Sequence, residues 1–243
     1  MGAGADIIKF YADYRKRTLQ APGPAYPGGP KIAHPPEESG YERNPALPLW
    51  TQEEMDAIVD EAKRARCPVA AHAIMHDAAI MASKAGVTSV EHAYLRDDEV
   101  IRTFKENGTI WVPTTSVIAF ELGAGPILDA AQAQVLAAWK AGVVLAAGGD
   151  VGAFAHGENI REVELMLEAG VPLEDVLVAV TLTGWKACGG EWAGRRFGGV
   201  KAGWAADFVA LKGDLRKDRS ALRKVQHVLK DGEVIVKDGV LTR

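Results

Sequence analysis

Between Thr51 and Val180 the chain alternates, unit after unit, between stretches of helical periodicity and short, wholly apolar runs. Such runs suit strands buried on both faces, and parallel strands are buried this way because helical crossovers cover the sheet. The units can be placed in turn. Thr51, with Glu54 three residues on, forms a capping box that opens a helix to about Arg66. Residues 68–72 follow as a strand, residues 77–85 as a helix stopped by Gly86, and residues 87–92 as the next strand. Asp97 or Asp98 opens a helix through Glu106, and residues 109–113 are strand. Residues 129–141 read as helix and 143–147 as strand, with helices over 159–169 and 173–180 and a stop at Gly170. Ile7-Ile8-Lys9, after Gly4-Ala5-Asp6, reads as an earlier strand of the same kind.

Gly86, Gly108 and Gly142 each stand just before a strand. That regularity suits a (β/α) barrel, whose chemistry sits at the C-terminal strand ends. The chain supplies five strands of a barrel that needs about eight. Residues 23–48, rich in Pro and Gly, read as a long loop after the Lys9 strand. From about Gly198 the pattern changes to alternating strands, with a hairpin signal at Asp231-Gly232. The expected organisation is therefore residues 1–197 as the C-terminal portion of a barrel and residues 198–243 as a β-strand tail.

Composition narrows the function classes. A formal charge of −4 leaves no basic footprint for nucleic acid. No apolar run reaches the roughly 18 residues that span a bilayer, so no membrane partner is expected. Met1-Gly2-Ala3-Gly4 carries no basic segment or apolar signal core, which points to the cytoplasm, although a signal could precede Met1. Self-association into a homo-oligomer stays open. Cys67 and Cys188 make no disulfide framework, and Cys67 beside Pro68 reads as a small buried hydrophobe. Asn107-Gly108-Thr109 matches a glycosylation sequon but fits a helix-ending turn better. There is no Gly-x-Ser-x-Gly elbow, no Gly-x-Gly-x-x-Gly after a strand and no phosphate loop.

The strand ends carry the chemistry. Lys9, His72, His92 and Asp150 each close an apolar run. A single strand-end histidine is ordinarily a satisfied polar residue. Two on consecutive strands, with an aspartate on a third, form a donor set suited to zinc-type ions. Lys9 reads either as a snorkelling strand-end lysine or as a costly buried amine that needs a partner. Asp150 after Gly148-Gly149 reads either as a metal ligand or as a helix N-cap. Strand periodicity puts Lys9 and Tyr11, and by extension Asp13, on one face, with Tyr14 and Arg15 near the mouth. Arg15 could grip a substrate carboxylate or lie solvated in the loop. His156 could orient substrate or Asp150, or merely enter the following helix. Glu162 fits pairing or capping within its own helix. His34, His76 and His227 read as structural or exposed.

The order Lys, His, His, Asp on successive strand ends resembles the metal site of the amidohydrolase superfamily, in its imidazolonepropionase-like and Xaa-Pro-dipeptidase-like branch. The resemblance covers nearly all of the chain and implies a partial (β/α)8 barrel, about strands four to eight, with C-terminal strands of a small β-sandwich. It implies that Lys9 is carboxylated, its carbamate bridging divalent metals of the zinc type, and that His72, His92 and Asp150 are ligands. Burial favours the neutral amine that reacts with carbon dioxide. The implied function is hydrolysis of C–N bonds in a small amide or dipeptide substrate, an N-acyl amino acid or an Xaa-Pro dipeptide. Hydroxide activated by the metal would attack, with Asp150 as general base. Tyr11, Arg15 and His156 are the substrate-side residues. The His-x-His motif of the family's first strand has no counterpart here. On that ground a truncated, non-catalytic binding or scaffold protein is the alternative. The isolated chain is expected to hold about one metal or fewer and to show little amidase activity.

Overall fold

The computed structural model describes residues 4–13, 48–94 and 97–242. Strand β1 (Ile8–Tyr11) is followed by helix α1 (Gln52–Arg64), β2 (Val69–Ala73), α2 (His76–Ala85), β3 (Ser89–His92), α3 (Asp98–Asn107) and β4 (Ile110–Val112). Next come α4 (Thr115–Leu122), α5 (Pro126–Ala141), β5 (Val144–Leu145), α6 (Ile160–Glu168), α7 (Leu173–Val180) and α8 (Leu182–Ala187). A 3-10 turn, Gly190–Ala193, leads to β6 (Phe208–Leu211). A second, Arg219–Arg223, leads to β7 (Val225–Lys230), β8 (Glu233–Lys237) and β9 (Val240–Leu241).

The strands form two sheets. Five parallel strands run in the order β1-β2-β3-β4-β5, and four antiparallel strands in the order β6-β7-β8-β9. In the first sheet, spatial order equals chain order, so every crossover steps the same way. Right-handed crossovers that never reverse put all connecting helices on one face, which is the winding of a (β/α) barrel wall. The side chains agree. Phe10, Ala71, Val90, Trp111 and Leu145 lie in one register row and join the main core against the helices. Ile110, Val112 and Ala146 form a separate apolar cluster with Ala187.

Local signals account for most boundaries. The Thr51 hydroxyl accepts from the Glu54 amide while the Glu54 carboxylate accepts from Thr51 N–H at 2.8 Å. Gly86 (φ 84°) and Gly108 (φ 66°) end α2 and α3 in the left-handed conformation that costs glycine little. Asp97 caps α3 by accepting from Glu99 N–H. The Asp231-Gly232 turn joins β7 to β8, both residues at positive φ. Cys67 is buried, as its sequence setting implies. Two helices, α4 and α8, have no counterpart in the sequence reading, and α5 starts at Pro126 rather than Asp129. Among the described residues no helix is long and apolar enough to cross a membrane.

The second sheet is tied to the first unit by its approaches. Trp185 Nε1 donates to Arg195 O at 2.9 Å, and its ring lies 4.8 Å from Trp204. Leu222 is buried within the main core. Arg223 bridges Glu158 and Glu164.

Candidate metal centre

Sheet register brings the strand ends together. Tyr11, His72, Glu91 and Val112 occupy one row, with Lys9 two residues earlier on the same face of β1. The next row pairs Ala73 with His92. By strand alternation His92 would follow Val90 toward the helices. Instead its backbone turns to φ 73°, and its ring lies 4.5 Å from that of His72. Asp150, at φ 54°, also takes a conformation that a non-glycine residue rarely adopts. Such strain persists where surrounding contacts enforce it, and it concentrates at functional sites.

Both histidines are buried. Burial is the main cause that lowers His72 to about 4, with Lys9 lowering it further and Asp150 opposing. Burial likewise lowers His92 to about 3, helped by His72 and Lys9. Both rings are therefore neutral at neutral pH, as a nitrogen ligand must be. Lys9 and Asp150 both lie within electrostatic reach of His72 and of Glu91. Neutral imidazoles with a carboxylate nearby suit a divalent ion of the zinc type.

Several placements differ from the sequence reading. Lys9 does not end its strand, since β1 runs on to Tyr11, and it is exposed rather than a buried amine, because it alternates with Phe10 and so lies on the sheet face opposite the helix-packed core. Asp150 does not cap a helix, since α6 starts only at Ile160. Tyr11 packs its ring 4.8 Å from His72. His156 lies exposed before α6. Tyr14, Arg15 and His34 lie outside the described residues.

The structure gives three acidic residues roles that the sequence analysis did not assign. Asp13 is buried and accepts from the amides of Ile74 and Met75, the latter at 2.7 Å, pinning the turn after His72. Burial raises its pKa, and those two amides oppose the shift. Its carboxylate lies 4.0 Å from His72 Nε2. Glu91 is raised chiefly by burial, while its bond from Ser89 at 2.6 Å opposes that shift. Glu162 is not paired within its own helix. It is fully buried and accepts from Thr115 N, Thr115 Oγ1 and Ser116 N across the fold.

Among the described residues, one group of histidine and carboxylate donors has all its ligand atoms within 4.8 Å of one another: His76, Asp97 and Glu99. The His72, His92 and Asp150 donors are not gathered that tightly. His76 opens α2, bonds Asp77 at 2.8 Å and faces Asp97 at 3.0 Å. The Asp77 bond is the first cause that raises its pKa. This partly exposed group is an ion-pair network between two helix N-termini.

Comparison with known proteins fits this geometry. The sequence profile of the Amidohydrolase family matches residues 44–236. Ochratoxinase of Aspergillus niger is 33% identical over 216 residues, covering 81% of this chain and 44% of the relative. The crystal structure of A. niger ochratoxinase superposes with a TM-score of 0.74 at 27% identity, over 96% of this chain and 51% of that one. A Xaa-Pro dipeptidase with bound methionine in the active site gives a TM-score of 0.72 at 29% identity, over 96% and 55%. The chain spans about half the length of these relatives. The solved relatives are amidohydrolase barrels, so the singly wound five-stranded sheet is a sector of that barrel. With the family profile matching most of its length, the chain belongs to the amidohydrolase family.

Proposed function

We propose that this chain carries the metal-binding strand ends of a hydrolase that cleaves C–N bonds in small amide or dipeptide substrates. N-acyl amino acids and Xaa-Pro dipeptides are the substrate classes, the second by likeness to the Xaa-Pro dipeptidase at 29% identity. The observation that carries the reading is the pair of buried, neutral imidazoles, 4.5 Å apart on consecutive strands, within reach of Lys9 and Asp150. His72, His92 and Asp150 would hold a zinc-type ion, with Lys9 as a carbamate. When bound, the ion supplies Lewis acidity that makes water a better nucleophile and polarises the amide carbonyl.

The remaining steps belong to the chain. Asp150 accepts a proton from the attacking water as the water oxygen bonds to the carbonyl carbon. It returns that proton to the amine nitrogen as the C–N bond breaks. Asp13 holds the turn after His72, and Tyr11 lines the same face. Arg15 is the proposed anchor for a substrate carboxylate, and His156 the proposed orienting residue at the mouth.

The test combines metal analysis with hydrolysis of N-acyl amino acids and Xaa-Pro dipeptides. His72→Ala should reduce bound zinc, and Asp150→Asn should abolish the turnover gained when a segment carrying the family's His-x-His strand is supplied. Carbamate on Lys9 should appear as a bicarbonate-dependent rise in metal content that Lys9→Arg removes. A chain that binds no zinc and ignores bicarbonate would instead support the non-catalytic binding or scaffold reading.

A further inference from the structure

His92 can serve a metal through Nε2 only if its proton sits on Nδ1. The hydrogen bonds around Thr114 decide this. Thr114 Oγ1 lies 2.7 Å from His92 Nδ1, 2.7 Å from Pro113 O and 3.0 Å from the Tyr94 hydroxyl. A hydroxyl donates one proton and accepts up to two. The Pro113 carbonyl can only accept, so the Thr114 proton goes there. If that proton pointed at His92 instead, two bare oxygens would face each other at 2.7 Å. Thr114 Oγ1 therefore accepts from His92 Nδ1–H, and the lone pair is left on Nε2. Trp111 Nε1 donates to His92 O at 2.8 Å and holds the backbone of the same residue.

Thr114 itself sits at φ 54°. A β-branched residue is a genuine outlier there, and something must enforce it. The next two residues supply the constraint. The buried Glu162 carboxylate accepts from Thr115 N at 3.0 Å, Thr115 Oγ1 at 3.0 Å and Ser116 N at 2.7 Å. Ser116 Oγ in turn donates to Gly149 O, beside Asp150. The Glu162 carboxylate thus braces the backbone just after Thr114, and Ser116 links that segment to the backbone beside Asp150.

We infer that Thr114 is a positioning residue that fixes His92 as the Nδ1–H tautomer, and that Glu162 holds Thr114 in place to do so. This rests on the metal reading above and deepens it. Partners of this kind behind a ligand histidine typically change metal affinity by about 10- to 100-fold.

The experiment is long-range ¹H–¹⁵N NMR of the full, metal-free chain with labelled histidine, at a pH where His92 is neutral, paired with a Zn²⁺ titration. The expected wild-type signal is the Nδ1–H tautomer. Thr114→Val keeps the branched shape but removes the acceptor. It should shift His92 toward the other tautomer and weaken Zn²⁺ binding about tenfold or more. Thr114→Ser should restore both, and Glu162→Gln should move them in the Thr114→Val direction. An Nε2–H signal in the wild type, or a tautomer indifferent to Thr114→Val, overturns the inference even if zinc binds normally. A Thr114-dependent Nδ1–H tautomer without zinc binding would sustain it and sink the metal reading instead.

Discussion

His72 and His92 show how much a single residue's environment decides. Each is an ordinary strand-end histidine by sequence, yet burial leaves both without a proton at neutral pH. Their folded pKa values, about 4 and about 3, lie below the unfolded value of 6.5. Protons then favour the unfolded chain, so the metal-free protein loses stability as pH falls below 6.5, continuing down to the folded values. Asp13, Glu91 and Glu162 are raised by burial and act with the opposite sign toward the acid end of that window. Comparing wild type with His92→Gln isolates the histidine: the variant should lose about 2 kcal/mol less between about pH 7 and about pH 5. Denaturant midpoints at the two pH values measure this, and equal losses would contradict it. Glu162 offers a second test. Glu162→Ala leaves the Thr115 and Ser116 amides buried without acceptors, and should cost about 3 kcal/mol or more in urea unfolding. A cost below about 1 kcal/mol would mean that water replaces the carboxylate.

At the scale of elements, local chemistry wrote most of the boundaries. The Thr51–Glu54 box fixes the start of α1 through two reciprocal bonds, so Thr51→Ala should cost about 1 kcal/mol by thermal or urea unfolding. Helix α4 escaped the sequence because its N-terminus has no side-chain cap of its own. Its amides are satisfied by Glu162, 46 residues away at Ser116 and 47 at Thr115. No local pattern can announce a cap supplied from another helix. Helix α8 is short and likewise lacks a side-chain cap. The glycines near the end of the first unit separate backbone conformation from space. Gly194 (φ 67°) has nothing near its missing Cβ, whereas at Gly198 (φ 81°) a Cβ would meet Thr181 O at 2.5 Å. Gly194→Ala should cost about 1 kcal/mol, from conformation alone. Gly198→Ala should cost clearly more, about 3 kcal/mol, because the backbone at the α7–α8 junction must move. Similar losses for the two would contradict the contact.

For the whole molecule, the question is how independent the antiparallel sheet is. The division into residues 1–197 and 198–243 is a proposal, and the structure supplies both a seam and a tie. The seam is the stretch from Trp192 to Lys201, mostly partly or fully exposed and without regular structure beyond the 3-10 turn. The tie is Leu222, buried among core residues of the first unit. Limited proteolysis should cut within residues 192–201 and leave the two pieces associated. Leu222→Ala, which removes about 2–5 kcal/mol of buried contact, should let the pieces separate on gel filtration. Full protection of the seam, or separation without the substitution, would count against this division.

The alternation of apolar strands and amphipathic helices was enough to call a singly wound parallel sheet, because burial on both faces and helical crossovers leave few other arrangements. Placing Lys9, His72, His92 and Asp150 at or near strand ends needed no more than the length of each apolar run. The parts that only the tertiary structure decided are those in which distant chain segments act on one another. Register put Glu91 in the row of His72, a positive φ turned His92 toward it, and Glu162 reached across to brace Thr114. Sequence periodicity carries the face of a residue within its own element. Which residues meet across elements depends on register, long-range hydrogen bonds and the strain they hold in place.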